Sequence, residues 1–554
     1  MKALIHRRIP GTWGGSLATD VYLPDGPGPF PVVLERTPYH RRGLETLAPR
    51  FVEAGYAYVT QDCRGKYDSD GLFMPLVHEA EDGATSLDWI AEQSWCNGRI
   101  GMWGRSYHGI VQIPAAMAQH PALRCIAPSV APGSFFRDWL RYDGCFALGN
   151  ALRWGLTHAT CRTQPAMSHF SWDELHRLQG IDQIATRTGF ATPCLSDWVG
   201  HDTYDDYWSA LDQDHMYGRV TVPGMHAGGW FDHLTRTQYE AYRAITDRGG
   251  SDAARNGQRL MIGPWGHQSI STRGESHTRY GDWDFGSAAD LDVMDHELRF
   301  LNLHLQDRDD GIADEPPVKV FLMGENRWVD LEDWPVPTAI VEDWDLAGGP
   351  AGSSDDWGSL RPDGSAAPGE RVFVYDPADP VPTLGGAVYW GLEQRGPVDQ
   401  RPNLKRSDVL SYRSNPLPRS LTVIGDIELS LHIACDREDT DIVARLCVEE
   451  PGGAVISLSL GSLRCRYRDD PTSATPLEAD TPTALRLRLG QIAYTFAPGS
   501  RIVLSVTGSD FPRILPHPNR IAPLFEGDPL IARTKILHGG QYPSRLHLPV
   551  VEGL

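Results

Sequence analysis

The stretch GMWGRSYHGIVQ (residues 101–112) has the composition of a turn that presents a nucleophilic serine. Gly104 stands two residues before Ser106, as in the pattern G-x-S-x-G, in which a serine occupies a sharp strand-to-helix turn. The second glycine comes one residue late, at Gly109, because His108 holds its place. The turn therefore predicts a nucleophile. Taken alone, it fits equally well an ordinary strand-to-helix turn with a helix-capping serine.

The sequence on either side of this turn alternates between strand and helix patterns. FPVVLERTPY (30–39) indicates a strand, LAPRFVEAGYAYVTQD (47–62) a helix and then a strand, and EAEDGATSLDWIAEQ (79–93) a helix. RIGMW precedes Ser106, and YHGIVQIPAAMAQHP (107–121) predicts a helix directly after it. Strands joined by helices of this length favour right-handed crossovers and a mostly parallel sheet covered on both faces.

The alternation stops over 131–218, which is helical in pattern and rich in aromatic residues, and we expect this segment to form a cap. It resumes from 219 and ends with the amphipathic helix LDVMDHELRFLNLHLQ (291–306). After PPVKVFLMG, short runs with period two indicate an antiparallel β-sandwich. The predicted domains are a catalytic α/β domain (1–130 and 219–315), a helical cap (131–218) and a β-sandwich (316–554).

Two further residues stand where a nucleophilic serine needs its partners. In parallel α/β sheets the order along the chain is serine, acid, histidine, each on a loop at the carboxyl end of a strand. Asp232 follows the strand-like VTVPGMHA, and His267 follows RLMIG. Each residue alone has an ordinary explanation, since Asp232 could cap a helix and His267 could be a loop histidine. The ordered combination favours catalysis.

At this point the chain resembles a known family, the cocaine-esterase-like and X-Pro dipeptidyl-peptidase-like serine hydrolases. The motifs that carry the resemblance are RTPYHR, QDCRGKYDSDG, GRSYHG, GGWFD and GPWGH. This family has G-x-S-Y-x-G at the nucleophile, so the late Gly109 is its usual form. The resemblance spans nearly the whole chain. It implies an α/β-hydrolase core, an inserted helical cap and a C-terminal jelly-roll domain.

By position, the resemblance implies that Ser106 is the nucleophile, His267 the general base and Asp232 the residue that orients it. Tyr39 in RTPYHR matches the tyrosine whose hydroxyl forms the family's oxyanion hole together with the backbone N–H after the nucleophile, here that of Tyr107. A phenol O–H aimed at a developing oxyanion is a preorganised donor. His108 adjoins the nucleophile, and we expect it to pack in the first helical turn.

The substrate class follows less directly. The related α-amino-acid ester hydrolases bind an ammonium group with clustered carboxylates, two of which closely follow the catalytic aspartate. Here those positions hold Leu234 and Thr235, and Asp138 in FFRDWL matches the remaining acidic position. We therefore expect a neutral acyl ester, or an amide, docked against the aromatic residues of the cap. The candidate pocket residues are Phe136, Asp138, Trp139 and Trp230.

Several alternatives stay open. An X-Pro dipeptidyl-peptidase or an α-amino-acid ester hydrolase would need an acidic clamp for the amino group. An acyltransferase would use the same triad and differ only in water exclusion and acceptor binding. A non-catalytic carbohydrate-binding protein is an alternative because jelly rolls include lectins. The intact triad positions favour an enzyme over pure binding.

Composition excludes other classes of partner and cofactor. The 554 residues carry a net charge of −21, which disfavours nucleic acid and anionic membranes. The nine cysteines are scattered without a C-x-x-C pair, and the first residues, MKALIHRRIPGTWGG, lack the apolar run of a signal peptide. We expect a soluble cytoplasmic enzyme that acts on a small molecule, without metal or organic cofactor. The sequence leaves a homo-oligomer open.

Overall fold

The computed structural model describes residues 1–131, 133–178, 180–189, 192–270, 278–348, 357–362, 364–388 and 395–554. Ten strands form a first sheet: β1 (Lys2–Pro10), β2 (Ser16–Leu23), β3 (Phe30–Thr37), β4 (Ala57–Asp62), β5 (Cys96–Arg105), β6 (Leu123–Ser129), β7 (Gly224–Gly229), β8 (Gln258–Gly263), β9 (Val318–Leu322) and β10 (Arg327–Leu331). Their order is β1-β2-β4-β3-β5-β6-β7-β8-β9-β10. Neighbours from β4 to β9 run parallel, and the outer pairs run antiparallel.

The α-helices of the described residues are α1 (Ala48–Glu53), α2 (Glu79–Ala91), α3 (Tyr107–Ile110), α4 (Gln112–Met117), α5 (Leu148–His158), α6 (Trp172–His176), α7 (Ile181–Thr188), α8 (Pro193–Gly200), α9 (Asp206–Leu211), α10 (Thr235–Arg248), α11 (Asp252–Asn256), α12 (Val293–Gln306) and α13 (Arg401–Leu404). The helix predicted over 107–121 is two short helices, α3 and α4. Pro114, which has no N–H to donate to the Ile110 carbonyl, interrupts the ladder there. Among the described residues, no helix has the length and apolarity needed to cross a bilayer.

The parallel sheet is buried on both faces, as alternation along β3 shows. Val32 and Leu34 pack in one apolar cluster with residues of α2 and α4, whereas Val33 packs in another with residues of α1 and α12. Successive side chains of a strand point to opposite faces, so a strand covered on both sides reads as a continuous apolar run. This arrangement explains why VVL and YVT appear uninterrupted in the sequence.

The chain between β6 and β7 is an insertion of short helices. It contains a π-helix over Phe135–Leu140, helices α5 to α9, and 3-10 turns at Pro165–His169 and Asp214–Arg219. Two-residue strands at Arg141–Tyr142 and Cys145–Phe146 pair as a small hairpin. Aromatic rings fill the centre of this insertion, including the buried Trp154 and Trp208.

The second sheet is almost entirely antiparallel. Its strands are β11 (Ile340–Ala347), β12 (Gly358–Arg361), β13 (Gly369–Tyr375), β14 (Leu410–Arg413), β15 (Leu421–Cys435), β16 (Asp441–Glu449), β17 (Val455–Arg464), β18 (Thr483–Phe496), β19 (Arg501–Thr507), β20 (Ala532–His538) and β21 (Arg545–Val550). The β12–β14 pair alone is parallel among the pairings described. The predicted fold class, an α/β-hydrolase core followed by an antiparallel β domain, is confirmed.

The change from one sheet to the other comes later than the sequence analysis placed it. Val318–Leu322 pairs parallel with β8, and Arg327–Leu331 closes that edge as an antiparallel strand, so both strands belong to the first sheet. The apolar run VKVFL was predicted to lie in a β domain that begins at 316. A short apolar run such as VKVFL has the same pattern in either sheet, so its partner cannot be read from the run itself.

Candidate active site

Ser106 occupies a sharp turn between β5 and α3. Its backbone has φ 55 and ψ −127, a conformation that non-glycine residues rarely adopt. A Cβ atom on Gly104, where φ is 143, would lie 2.5 Å from the Cβ of His108, and one on Gly109 would lie 2.8 Å from the Cβ of Ala131. Both glycines are therefore required for the turn to pack against its surroundings.

The Ser106 side chain is part of a continuous hydrogen-bonded row. Its Oγ lies 3.1 Å from Nε2 of His267, and Nδ1 of His267 lies 3.1 Å from each carboxylate oxygen of Asp232. The three residues follow β5, β7 and β8, so the parallel sheet brings its carboxyl ends together at this point. The structure thus assembles the serine, histidine and aspartate that the sequence analysis selected.

Asp232 is buried and remains a carboxylate. Burial by itself would raise the pKa of Asp232, but the charge of His267 and the hydrogen bonds from His233 and His267 outweigh it and hold the pKa below its usual range. The backbone N–H of Leu234 also donates to Asp232 at 2.9 Å. A charged, fixed acceptor at this place holds His267 in the tautomer that carries its proton on Nδ1.

His233 is a second histidine on the same carboxylate, and the sequence analysis missed it. Its Nδ1 lies 3.2 Å from the Asp232 oxygen, and burial lowers the pKa of His233, which favours the neutral ring. Nothing local signals this contact, because side chains adjacent in sequence usually point apart. One group of side chains in the described part of the chain has ligand atoms close enough together to hold a metal ion, and it consists of Asp232, His233 and His267. Each ring directs a nitrogen at the shared carboxylate, an arrangement that hydrogen bonds explain.

Tyr39 lies at the carboxyl end of β3, beside Ser106. Its hydroxyl accepts a hydrogen bond from Nε1 of Trp154 at 3.0 Å and also contacts the Ser106 hydroxyl and the backbone N–H of Tyr107. Burial raises the pKa of Tyr39, so the phenol keeps its proton. The side chain of Tyr107 is bonded elsewhere, since its hydroxyl donates to Glu79 at 2.8 Å. Two N–H or O–H donors therefore meet next to the serine.

The four candidate pocket residues are not gathered in one place. Trp139 packs edge-on against Trp154, with ring centroids 4.8 Å apart, and so lies one ring away from Tyr39. Phe136 packs against Tyr204 and Trp208 in the core of the helical insertion.

Trp230 packs between α10 and β9 of the α/β core. It stacks on Tyr239, and its Nε1 donates to the carbonyl of Phe321 at 2.7 Å. Trp230 and Asp138 both line a cleft where the helical insertion, the α/β core and the β domain meet.

Asp138 is buried in this cleft against an arginine. Its carboxylate lies 3.4 Å from Nε of Arg236, which also contacts Asp143 at 3.3 Å and Glu240 at 3.2 Å. Burial raises the pKa of Asp138, and the charge of Arg236 opposes that rise. Arg236 stands four residues after Asp232, so this chain has a cation near the place where a carboxylate cluster was sought.

The comparisons with known proteins agree with this geometry. Residues 14–269 match the X-Pro dipeptidyl-peptidase (S15 family), and residues 310–547 match the X-Pro dipeptidyl-peptidase C-terminal non-catalytic domain. A cocaine esterase of Rhodococcus sp. (strain MB1 Bresler) is 32% identical over 574 residues, which cover 98% of this chain and 98% of the relative.

Solved structures are similar over the whole length. An aminopeptidase from a marine sediment archaeon, Thaumarchaeota archaeon, is 26% identical with a TM-score of 0.87, covering 99% of this chain and 96% of that one. An α-amino acid ester hydrolase is 26% identical with a TM-score of 0.83, covering 99% and 97%. These three full-length matches are hydrolases, which leaves the carbohydrate-binding alternative without support. The chain is a hydrolase, and it belongs to the X-Pro dipeptidyl-peptidase (S15) family of serine hydrolases together with the cocaine esterase.

Proposed function

We propose that this hydrolase cleaves an acyl ester through an acyl-enzyme on Ser106. The observation that carries the proposal is the row from Ser106 Oγ to His267 and on to Asp232, with each step at 3.1 Å. A serine with a base in hydrogen-bond reach, and a buried carboxylate behind that base, is the arrangement that activates a hydroxyl for attack.

The reaction then has two halves. His267 Nε2 takes the proton from Ser106 as Oγ attacks the ester carbonyl, and the carbonyl oxygen becomes an oxyanion held by the Tyr39 O–H and the Tyr107 N–H. The oxyanion collapses, the alkoxide leaves, and His267 returns the proton to it. In the second half His267 takes a proton from water, and the resulting attack on the acyl-enzyme releases the acid and restores Ser106.

A neutral acyl group is the favoured substrate. Asp138 is paired with Arg236, and the positions two and three after Asp232 carry Leu234 and Thr235, so a charged α-amino group would meet no unpaired carboxylate cluster at these positions of the described chain. We place the acyl group against Trp139 and Trp154, the indole rings next to Tyr39. The name of the cocaine esterase relative supports an ester, whereas the family description and the aminopeptidase neighbour keep an X-Pro or amino-terminal amide as the second candidate.

A matched pair of substrates separates these candidates. N-acetylphenylalanine methyl ester and phenylalanine methyl ester differ in the charge of the amino group, and the proposal predicts a higher kcat/KM for the acetylated ester. Glycyl-prolyl p-nitroanilide tests the X-Pro reaction directly. A preference of tenfold or more for either substrate with a free amino group would contradict the neutral-acyl proposal.

A substitution at Arg236 tests the same proposal within the protein. Arg236→Gln removes the cation shared by Asp138, Asp143 and Glu240, so the cleft becomes more negative and kcat/KM for phenylalanine methyl ester should rise relative to the acetylated ester. Arg243→Gln, on the same helix and paired with Asp247 and Asp333, should leave that ratio unchanged. Product analysis of a p-nitrophenyl ester with added methanol tests acyl transfer, since a methyl ester formed in excess over the free acid would favour an acyltransferase.

The remaining assignments are also proposals. The helical insertion over 131–218 would act as the cap that closes over Ser106, because its Trp154 contacts Tyr39. A cytoplasmic location is supported by the nine cysteines, all of which are free thiols.

A further inference from the structure

His108 takes no part in the proposed reaction, yet it is buried two residues after the nucleophile. Its Nδ1 lies 2.5 Å from one carboxylate oxygen of Glu35, and its Nε2 lies 2.6 Å from the hydroxyl of Thr37. The other oxygen of Glu35 accepts a hydrogen bond from Tyr58. Both ring nitrogens are therefore engaged by β3, and His108 is not a second base for Ser106.

The contacts of His108 lead directly to Tyr39. The hydroxyl of Thr37 accepts the backbone N–H of Tyr39 at 2.9 Å. The rings of His108 and Tyr39 also lie against each other, with centroids 5.3 Å apart. His108 thus joins the first helical turn after Ser106 to the loop that carries Tyr39, through one hydroxyl and one ring contact.

This link matters because the two proposed oxyanion donors come from different strands. The N–H of Tyr107 follows β5, whereas the hydroxyl of Tyr39 follows β3. His40, directly after Tyr39, has φ 91 and ψ 106, so the loop leaves the strand in an unfavourable conformation that its surroundings must hold. Donors of an oxyanion hole act only when their separation is fixed within a fraction of an ångström.

We propose that His108 is a positioning residue that sets the place of the Tyr39 hydroxyl relative to the Tyr107 N–H. The inference rests on the proposed function, since it gives His108 a role only through the oxyanion hole. The Glu35 carboxylate orients the imidazole from one side, and the imidazole holds Thr37 and the Tyr39 backbone from the other. The position after Ser106 and Tyr107 is therefore a determinant of rate in this chain.

A double-mutant cycle with Tyr39 tests this inference, because coupled residues give non-additive effects. His108→Leu should lower kcat for a p-nitrophenyl ester by about 10- to 100-fold with KM changed less than about threefold, as expected when a catalytic group is slightly misplaced. In the Tyr39→Phe background the same substitution should cost less than about threefold, since the hydroxyl that it positions is already absent. Equal losses in both backgrounds would overturn the inference.

Two further variants keep the test informative if His108→Leu folds poorly. Thr37→Val removes only the hydroxyl between His108 and Tyr39, and it should show the same loss of kcat and the same non-additivity with Tyr39→Phe. His108→Gln retains a hydrogen-bond donor toward Glu35 and should restore part of the rate. A Thr37→Val variant with the wild-type kcat would overturn the inference.

The control separates positioning from general destabilisation. His226 is another fully buried histidine, bonded to Gln258, and His226→Leu should lower Tm while changing kcat less than about threefold. The outcomes also distinguish the two proposals. If Ser106→Ala keeps its activity or Tyr39→Phe keeps the wild-type rate, the proposed function fails. If both variants lose activity while the effects of His108 and Tyr39 multiply, the inference about His108 alone fails.

Discussion

The Tyr39 hydroxyl has its hydrogen-bonding directions set by its neighbours. It accepts from the indole N–H of Trp154 and contacts the backbone N–H of Tyr107 and the hydroxyl of Ser106, so its own O–H lies beside the serine. Ser106 can then direct its proton to His267, at 3.1 Å. Because burial raises the pKa of Tyr39, this proton stays in place across the pH range of an ester assay. The free enzyme already holds the donor where the oxyanion will form.

Tyr39→Phe should retain the fold and lose about 10²–10³ in kcat, the usual cost of one oxyanion donor. KM should change little, because the donor acts mainly on the charge that develops in the transition state. Steady-state hydrolysis of a p-nitrophenyl ester, together with a thermal unfolding curve, measures both quantities. A variant with the wild-type kcat would remove Tyr39 from the site.

Asp232→Asn should lower kcat by about 10³–10⁴, since the amide cannot hold His267 in the required tautomer or stabilise the imidazolium. Asp214→Asn, which alters an exposed ion pair with Arg248, serves as the control and should keep the wild-type rate. Active-site titration ensures that only folded enzyme is counted. A loss smaller than tenfold would show that Asp232 does not orient the base.

The turn around Ser106 is the element on which the site depends. A side chain is excluded at both of its glycines, because an added Cβ would lie 2.5 Å from the nearest atom at Gly104 and 2.8 Å from it at Gly109. Gly104 also has a positive φ. An added Cβ at position 104 would strike the Cβ of His108, the residue whose ring holds Thr37. The elbow and the proposed positioning residue are therefore packed as one unit.

Gly104→Ala should destabilise the protein by about 2 kcal/mol or more and abolish ester hydrolysis, because the clash and the positive φ add. Gly43→Ala is the matched control, since an added Cβ there meets nothing within 4 Å and its φ is ordinary. Denaturant unfolding and kcat are the two measurements. Equal stability of the two variants would show that the elbow tolerates a side chain at 104.

The sequence predicts local elements well and long-range contacts poorly. The helix predicted over 291–306 is found as Val293–Gln306, the strand before Ser106 is where its pattern indicates, and the helix predicted after it is divided into α3 and α4. The pairing of β9 with β8 was missed because an apolar run does not name its partner. The contact of His108 with Glu35 was missed for a related reason, since it joins residues far apart in the chain. Local pattern carries no information on such pairs.

The helical insertion is attached to the β domain through the partly exposed carboxylate of Asp202. Asp202 lies 3.3 Å from Arg141 of the insertion and accepts a hydrogen bond from Arg466 of the β domain. The Tyr467 hydroxyl donates to the backbone carbonyl of Asp202 at 3.1 Å. Both arginines are almost fully buried, and Asp202 offsets part of the desolvation of each, while Asp439 also lies 3.5 Å from Arg466. The proposed cap and the β domain therefore share one electrostatic contact.

Asp202→Asn should lower the free energy of unfolding by about 2–3 kcal/mol, because it removes a negative charge beside two buried arginines. The loss is at the lower end for a buried ion pair because Asp202 itself is partly exposed. Asp252→Asn removes a mostly exposed ion pair with Arg255 and should change stability by less than about 0.5 kcal/mol. Chemical denaturation at one pH compares them. Equal effects would show that Asp202 does not fasten the two parts.

Stability should also fall in acid, because several histidines are buried as neutral rings. Burial lowers the pKa of His226 to about 4, although the hydrogen bond that its ring donates to the amide oxygen of Gln258 opposes the shift, and burial lowers the pKa of His158 to about 3. The unfolded chain therefore binds protons first as pH falls below about 6.5, and the free energy of unfolding decreases between about pH 6.5 and 4.

Between pH 7 and pH 5 the free energy of unfolding should fall by about 2 kcal/mol less in His226→Gln than in the wild type. This is the amount expected for one buried histidine of this kind. Between pH 7 and pH 8 the two proteins should change in parallel, since His226 is neutral in the folded and the unfolded states. Denaturant unfolding at each pH measures the difference. An identical loss in both proteins at pH 5 would mean that His226 does not contribute.

The most direct test of the account is to identify the atom that attacks the substrate. Diethyl p-nitrophenyl phosphate reacts with an activated serine, forming a bond from Oγ to phosphorus and releasing p-nitrophenolate. The account predicts one diethyl phosphate group per chain, located by peptide mass spectrometry on Ser106, with loss of ester hydrolysis in proportion to labelling and no adduct in Ser106→Ala. A stoichiometric adduct on another residue, or full activity in the labelled protein, would contradict it.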